Sequence, residues 1–435
     1  MHALGARITH DELPAATTSG RTLTVLALLL GLTATASGGC SLLGDDDDAA
    51  PSSVVAPADV VAALTVALDQ RAEAVRNHDT RGLLAGLAAG DRALRRQQRA
   101  YAVNLAELPL GTFDYELDPA DVVRDGNDYL AVVGLRTQLT GFDTQPVLSR
   151  DRMRFTPSGE AGGYAVASAT DPDWRAAHDV QPQPWDLGPV VVRVVPGVLG
   201  VFDRDSVGAA DRLLADVTRG ISDVAAVVPV DWSRAVVVYA LSDPAYLATV
   251  PDLPGGDPQT LDGVAFPVTA EPGESDLAST RFALHPRLLD HGGPGRARLI
   301  RHELTHVALG SSDDHAPVWL SEGLAEYVSV RPLPPERRGI SQGALDAARE
   351  GFVDLPGDAD FNDAASRAHY GEAWWACEYV ATSYGEPTLW SLLDELDDPD
   401  LDATGRNEVL KTWLGIGSRQ LASRAGRLLL HTYGS

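Results

Sequence analysis

Two histidines four residues apart, His302 and His306, with Glu303 directly after the first, stand in the stretch "RHELTHVALG" from Arg301 to Gly310. On a helix, residues i and i+4 share a face, with Cβ atoms roughly 5–6 Å apart. Both imidazoles can then reach one Zn²⁺ at bond lengths of about 2.0–2.1 Å. Glu303 lies one step round the helix, outside the coordination tetrahedron yet near enough to touch a metal-bound water. Zinc lowers the pKa of such a water to about 7, and Glu303 would be the base that takes its proton. A chance H-E-x-x-H in a chain of this composition has odds of about one or two in a hundred. Without a metal, buried histidines on an otherwise apolar helix would leave polar groups unsatisfied, at roughly 1–3 kcal/mol each. One zinc ion per chain is therefore the expected occupant.

The elements that must hold these residues follow from punctuation. Pro294 and Gly295 open the motif helix and Gly310 closes it. Ile300, Leu304, Val307 and Ala308 form its core-facing stripe. A metzincin would need glycine and histidine three and six residues after His306, where Leu309 and Ser312 stand. Gly310 and His315 are out of register, and His315, in an acidic loop, is expected to face solvent. Sixteen residues after His306 comes Glu322, within "PVWLSEGLAEYVS". Pro317 starts a second helix, and a turn through "SSDDHA" would bring Glu322 back over the histidines as third ligand. Gly323 inside that helix costs about 1 kcal/mol against alanine; close approach of the two helices around a metal would account for it. Glu326, one turn on, could orient a ligand imidazole.

"HELTH" followed by "WLSEGLAEY" resembles the gluzincin metallopeptidases, the thermolysin and aminopeptidase N clan, and especially the peptidase MA-like domains. The resemblance implies His302, His306 and Glu322 as zinc ligands and Glu303 as catalytic base. It extends less specifically over Gly188 to Gly434 and includes "HYGEAWWACEYVATSYGEPTLWSLLDEL", similar to the helix that follows the motif in such domains. The aminopeptidase motif G-x-M-E-N is absent, so N-terminal trimming is not supported. Such chemistry also needs a group to stabilise the developing oxyanion. His369 and Tyr370, which open the later helix, are the candidates, with Tyr327 a third.

The rest of the chain predicts an α+β protein. Residues 58–87 show helical spacing with a break near Asn77 to Asp79. "DYLAVVGLRTQLTG", "VLSRDRMRFTPS" and "GGYAVASAT" alternate as strands. Helices followed by a curved antiparallel sheet over residues 57–178 resemble an NTF2-like domain, with a binding or spacing role. The Pro- and Gln-rich stretch 179–188 is expected to be a linker. The peptidase MA-like region, 189–435, begins with strands at "PVVVRVVPG", "RAVVVYAL", "LDGVAFPV" and "TRFALHPRLL". A helix at 206–228 interrupts them, and the chain becomes almost wholly helical after Gly295. Cys377, in "AWWACEYVA", is expected in the core.

Before residue 57, "TLTVLALLLGLTATASGGC" fits a signal-peptide apolar region too short for a comfortable membrane span. Residues 1–39 are the expected signal peptide. Gly-Gly-Cys resembles a bacterial lipobox with Cys40 as the lipidated residue, although Ser37 departs from the usual pattern; a plain secretory signal is the alternative. Residues 40–56, with "DDDD", would be an acidic flexible tether to a membrane lipid anchor. The expected location is extracytoplasmic, on the outer face of the cell membrane. The chain carries 35 basic against 61 acidic residues, a net charge of −26. Without a long basic cluster, nucleic acid is an unlikely partner.

The leading expectation is an exported, membrane-tethered zinc metallopeptidase acting on peptide or protein substrates. A cell-envelope binding or assembly lipoprotein on a zincin scaffold is the alternative, and a zinc hydrolase of non-peptide amides or esters is a third.

Overall fold

The computed structural model describes residues 56–159, 162–249, 253, 257–290 and 292–434. The expected signal peptide, Cys40 and nearly all of the tether lie outside the described residues. Helices and strands are both present, with one antiparallel and one mixed sheet.

The first part of the chain is three helices and a meander. Helix α1 (Ala58–Arg76) buries Leu64, Leu68 and Val75 on one side. It stops where the break was expected: Asp79 accepts a hydrogen bond from Gly82 N at 3.0 Å and caps α2 (Thr80–Ala85). Asp91 caps α3 (Arg92–Ala106) in the same way. Strands β1 (Leu110–Asp125), β2 (Asp128–Leu139), β3 (Val147–Pro157) and β4 (Tyr164–Ser168) follow in antiparallel order. The length of β1 was not evident from its sequence. "FDYELDPADVV" is acidic, contains Pro119, and shifts register between Leu117 and Val122. Phe155, Val122 and Val166 face α1 across this sheet in a shared core.

Two short helices, α4 (Pro172–Ala177) and α5 (Pro184–Leu187), occupy the connection. The stretch expected as a linker is packed in place. Trp185 is buried, and Gln183 accepts a hydrogen bond from Tyr239 OH at 2.7 Å. A large aromatic ring in a Pro-rich segment is enough to dock it.

The second sheet runs in the order β5 (Val191–Val195), β6 (Val198–Phe202), β7 (Val236–Ala240), β9 (Leu277–Leu284), β8 (Gly263–Thr269). Pro196–Gly197 turns β5 into β6, with Gly197 at φ 79°. Strand β6, hidden in the sequence behind this tight turn, lies inside the sheet with every residue buried. Helix α6 (Ala210–Ala225) connects β6 to the parallel β7, and β9 is parallel to β7. Beyond β9 come α7 (Pro294–Leu309), α8 (Val318–Val330), α9 (Gln342–Glu350), α10 (Ser366–Tyr384), α11 (Glu386–Leu396), α12 (Ala403–Leu414) and α13 (Ser418–Tyr433). One hydrophobic cluster runs from β6 and α6 through α7, α8 and α10 to Leu429. None of the described helices is long and apolar enough to cross a membrane.

The two sheets are joined. Leu148 N donates to Ala270 O, and Thr144 N to Ala278 O, both at 2.8 Å. A buried ion pair links Arg281 to Asp143 at 2.8 Å. Phe113 and Leu139 share a core cluster with Tyr239 and Phe266.

Candidate metal centre

Helix α7 is held on one side and loaded on the other. Ile300 and Leu304 press on Gly220 of α6, where an added Cβ would lie 2.8 Å from Leu304 Cδ1. Buried Arg301 donates from Nε to Ser329 O at the end of α8, at 2.6 Å. Gly310, at φ 60°, ends α7 and donates its N–H to His306 O at 2.9 Å. The chain then doubles back through 311–317, and Val318 N at the start of α8 donates to Asp358 Oδ1 at 2.9 Å.

Across the α7–α8 contact the expected ligands meet. His302 Nε2 is 3.3 Å from His306 Nε2 and 3.1 Å from Glu322 Oε2, which in turn is 3.7 Å from His306 Nε2. The three side chains could hold a metal ion. They are shut away from solvent: His302 is 0%, His306 3% and Glu322 1% exposed, and Glu303 is 0%. Each of the two imidazoles is backed by a carboxylate. His302 Nδ1 faces Glu326 Oε1 at 3.5 Å, and His306 Nδ1 faces Asp313 Oδ2 at 3.6 Å. Glu326 is itself held by Arg298 Nη2 at 2.6 Å, and Asp313 accepts a hydrogen bond from Ser321 Oγ.

Charge explains what this arrangement wants. Burial pulls both imidazoles down, but the carboxylates override it. Glu322 and Glu326 leave His302 raised to about 9, and Asp313 and Glu322 leave His306 raised to about 10. Burial pushes Glu326 up, yet the Arg298 guanidinium and His302 hold it near 2. Glu322 is likewise lowered against its burial by the two imidazoles. Three buried carboxylates thus demand positive charge at the imidazoles. With the two Nε2 atoms 3.3 Å apart, only one hydrogen fits between them. A cation bound by all three donors meets that demand, and two imidazole nitrogens with one carboxylate oxygen suit a first-row divalent ion.

Glu303 projects towards the second sheet. A Cβ added to Gly263, at the start of β8, would lie 3.0 Å from Glu303 Oε1. Any side chain at 263 would press on this carboxylate. Tyr370 is buried beside the cluster, its ring centroid 6.1 Å from that of His302 and its OH 3.4 Å from Asn362 Oδ1. His369, half-buried, is engaged elsewhere: Nδ1 lies 3.0 Å from Phe361 O and 3.7 Å from Asp363 Oδ1. Tyr327 OH donates to Glu386 Oε2 on α11 at 2.9 Å, which makes it a packing residue. His315 is exposed as expected, although its loop is tied down by His315 N to Asp397 Oδ1 at 2.6 Å.

Two residues were not singled out from the sequence. Asp313 sits in a run that looks like solvated acid; its only signal is that His306 needs a partner at Nδ1. Gly263 gave no signal, because its role depends on a strand brought against α7 by the fold. The reason expected for Gly323 also needs correction. An added Cβ there would lie 2.5 Å from Ala373 O and 2.8 Å from Cys377 Sγ, so the close approach is to α10 rather than to α7. Cys377 is in the core, as expected.

Against family models, curated proteins and solved structures, the chain finds no match.

Proposed function

We propose that this protein is a zinc-dependent peptidase of the gluzincin type, with a peptidase MA-like part over residues 189–435 and an NTF2-like part over 57–178. The observation that carries the reading is the three-donor cluster. A tetrahedral zinc with bonds of about 2.0–2.1 Å needs its ligand atoms about 3.3–3.4 Å apart. The separations of 3.3, 3.1 and 3.7 Å straddle that value. Only three protein donors gather there among the described residues. Structural zinc sites use four, whereas catalytic ones leave a position open.

When bound, zinc supplies Lewis acidity that polarises a carbonyl and makes a water acidic near neutrality. The chain's own groups do the rest. His302, His306 and Glu322 hold the ion, and Glu326 and Asp313 fix the ring orientation of the two histidines. Glu303 takes a proton from the attacking water and passes it to the nitrogen of the breaking C–N bond. Tyr370, whose ring lies beside His302, would turn its phenolic hydrogen from Asn362 to the developing oxyanion. A peptide is favoured over a smaller ester because β8, the terminal strand of its sheet, passes Glu303 and offers backbone groups to an extended chain. Since Glu303 and most of β8 are buried, substrate entry requires opening of what covers them. Export and anchoring through lipid on Cys40 rest on the sequence alone.

The burial of the centre favours a second reading, a binding or assembly module with a structural metal. Zinc-loaded wild type and Glu303→Gln, assayed on a peptide library, separate the two. The peptidase reading expects equal metal content and a loss of cleavage of about 10²–10⁴-fold in the variant. Zinc in both with cleavage in neither supports the binding module.

A further inference from the structure

Away from the metal centre, a cavity of about 340 Å³ lies between α1, α3, the first sheet and the docked 180–189 segment. One end is cationic. Arg71, on α1, is only 6% exposed. Its Nε donates to Tyr115 OH at 2.9 Å, and its Nη2 donates to Gln98 Oε1. Both partners are neutral, and Nη1 is buried with no hydrogen-bond partner. Neither carboxylate of the cavity wall contacts Arg71. Asp151 pairs with Arg175 at 2.6 Å and accepts from Asp171 N at 3.0 Å, and Asp186 accepts from Gln183 N at 2.9 Å. Gln181, which also lines the cavity, keeps Nε2 buried and without a partner. The remaining wall is mixed: Val133, Leu135, Met153 and Val268 form an apolar part, beside Thr137, Ser149 and the exposed Arg150.

A buried guanidinium with no counter-charge is destabilising by several kcal/mol, and an anion seated against it offsets this. The two unused donors are Arg71 Nη1 and Gln181 Nε2, and a carboxylate, with several lone-pair sites, is an acceptor that can take both. Arg71 is the one buried arginine of the wall without a carboxylate partner, and a monoanion matches its charge; a dianionic phosphate would leave excess negative charge near Asp151 and Asp186. The apolar walls ask for a hydrocarbon body behind the head group. We infer that this cavity binds a small amphipathic monocarboxylate, with its head group on Arg71 and Gln181 and its apolar body against Val133, Leu135, Met153 and Val268. The site is independent of the metal centre and of the peptidase reading.

The test is calorimetric titration of the full chain with decanoate, decanol, decyltrimethylammonium and inorganic phosphate, together with thermal unfolding. Decanoate should bind at about one per chain and raise Tm, with decanol, the cation and phosphate weaker by about tenfold or more. Arg71→Met should lose decanoate binding by about tenfold or more and lose the rise in Tm that decanoate gives the wild type. Met153→Trp, which fills the cavity and leaves Arg71 in place, should also lose binding and covers the case in which Arg71→Met fails to fold. No binding of decanoate to folded wild type, equal binding of decanol, tighter binding of phosphate, or undiminished binding in either folded variant overturns the proposal.

Discussion

At the scale of single residues, the centre depends on carboxylates as much as on histidines. Asp313 lies 3.6 Å from His306 Nδ1, and Ser321 fixes it in turn. Asp313→Asn keeps the shape and removes the charge that favours the correct ring orientation. Zinc affinity should fall by about 10–100-fold, read by competition with a chelating dye, while the fold is retained. Glu372 on α10 makes a prediction of a different kind. Burial, with Asp354 nearby, raises its carboxyl to about 8. Its folded pKa exceeds the unfolded value near 4.3, so the folded state binds the extra proton between those limits. Stability should therefore fall as pH rises from about 4.5 to 8. Glu372→Gln, which needs no proton, should flatten that slope and stabilise the protein by about 1–3 kcal/mol at pH 8, measured by urea unfolding across the range.

At the scale of elements, the site is two helices placed by a third and a fourth. Gly220 lets α6 close on α7, and Gly323 lets α10 close on α8. Gly323→Ala gains helix propensity but drives a methyl into the Ala373 carbonyl, 2.5 Å from the added Cβ. The clash should dominate, with a loss of about 1–3 kcal/mol in thermal or urea unfolding. A gain in stability would mean that α8 and α10 are less closely packed than described. The extents of α1 and α7 and the start of α8 were legible in the sequence, from apolar spacing in α1, from proline and glycine at the ends of α7, and from Pro317 before α8. Strand β6 was not: the two-residue turn at Pro196–Gly197 joins "VVVRVV" and "VLGVF" into what reads as one strand and its tail. Strand β1 escaped notice because much of it is exposed, which weakens the alternation of apolar and polar residues. In the site, the ligand residues carry a spacing that one helix can realise. Asp313 and Gly263 matter only through tertiary contacts, and no spacing rule reaches those.

For the whole molecule, the first sheet and the second are not beads on a string. Their backbones bond at Leu148–Ala270 and Thr144–Ala278, and Arg281–Asp143 is buried between them. The α-helical half, in turn, shares a core with the second sheet from Val198 to Leu429. A metal bound between α7 and α8 would therefore stabilise a core that extends well beyond its own ligands. Binding to the folded state alone adds RT ln(1 + [L]/Kd), about 4 kcal/mol at a thousandfold excess over Kd. The most direct test is the metal content of protein purified without residues 1–39, measured by plasma mass spectrometry alongside Tm. The account predicts about one zinc per chain in wild type, a lower Tm after chelation, and loss of the metal in His302→Ala. Wild type free of bound metal, with a Tm indifferent to added zinc and folding unchanged in His302→Ala, would contradict it.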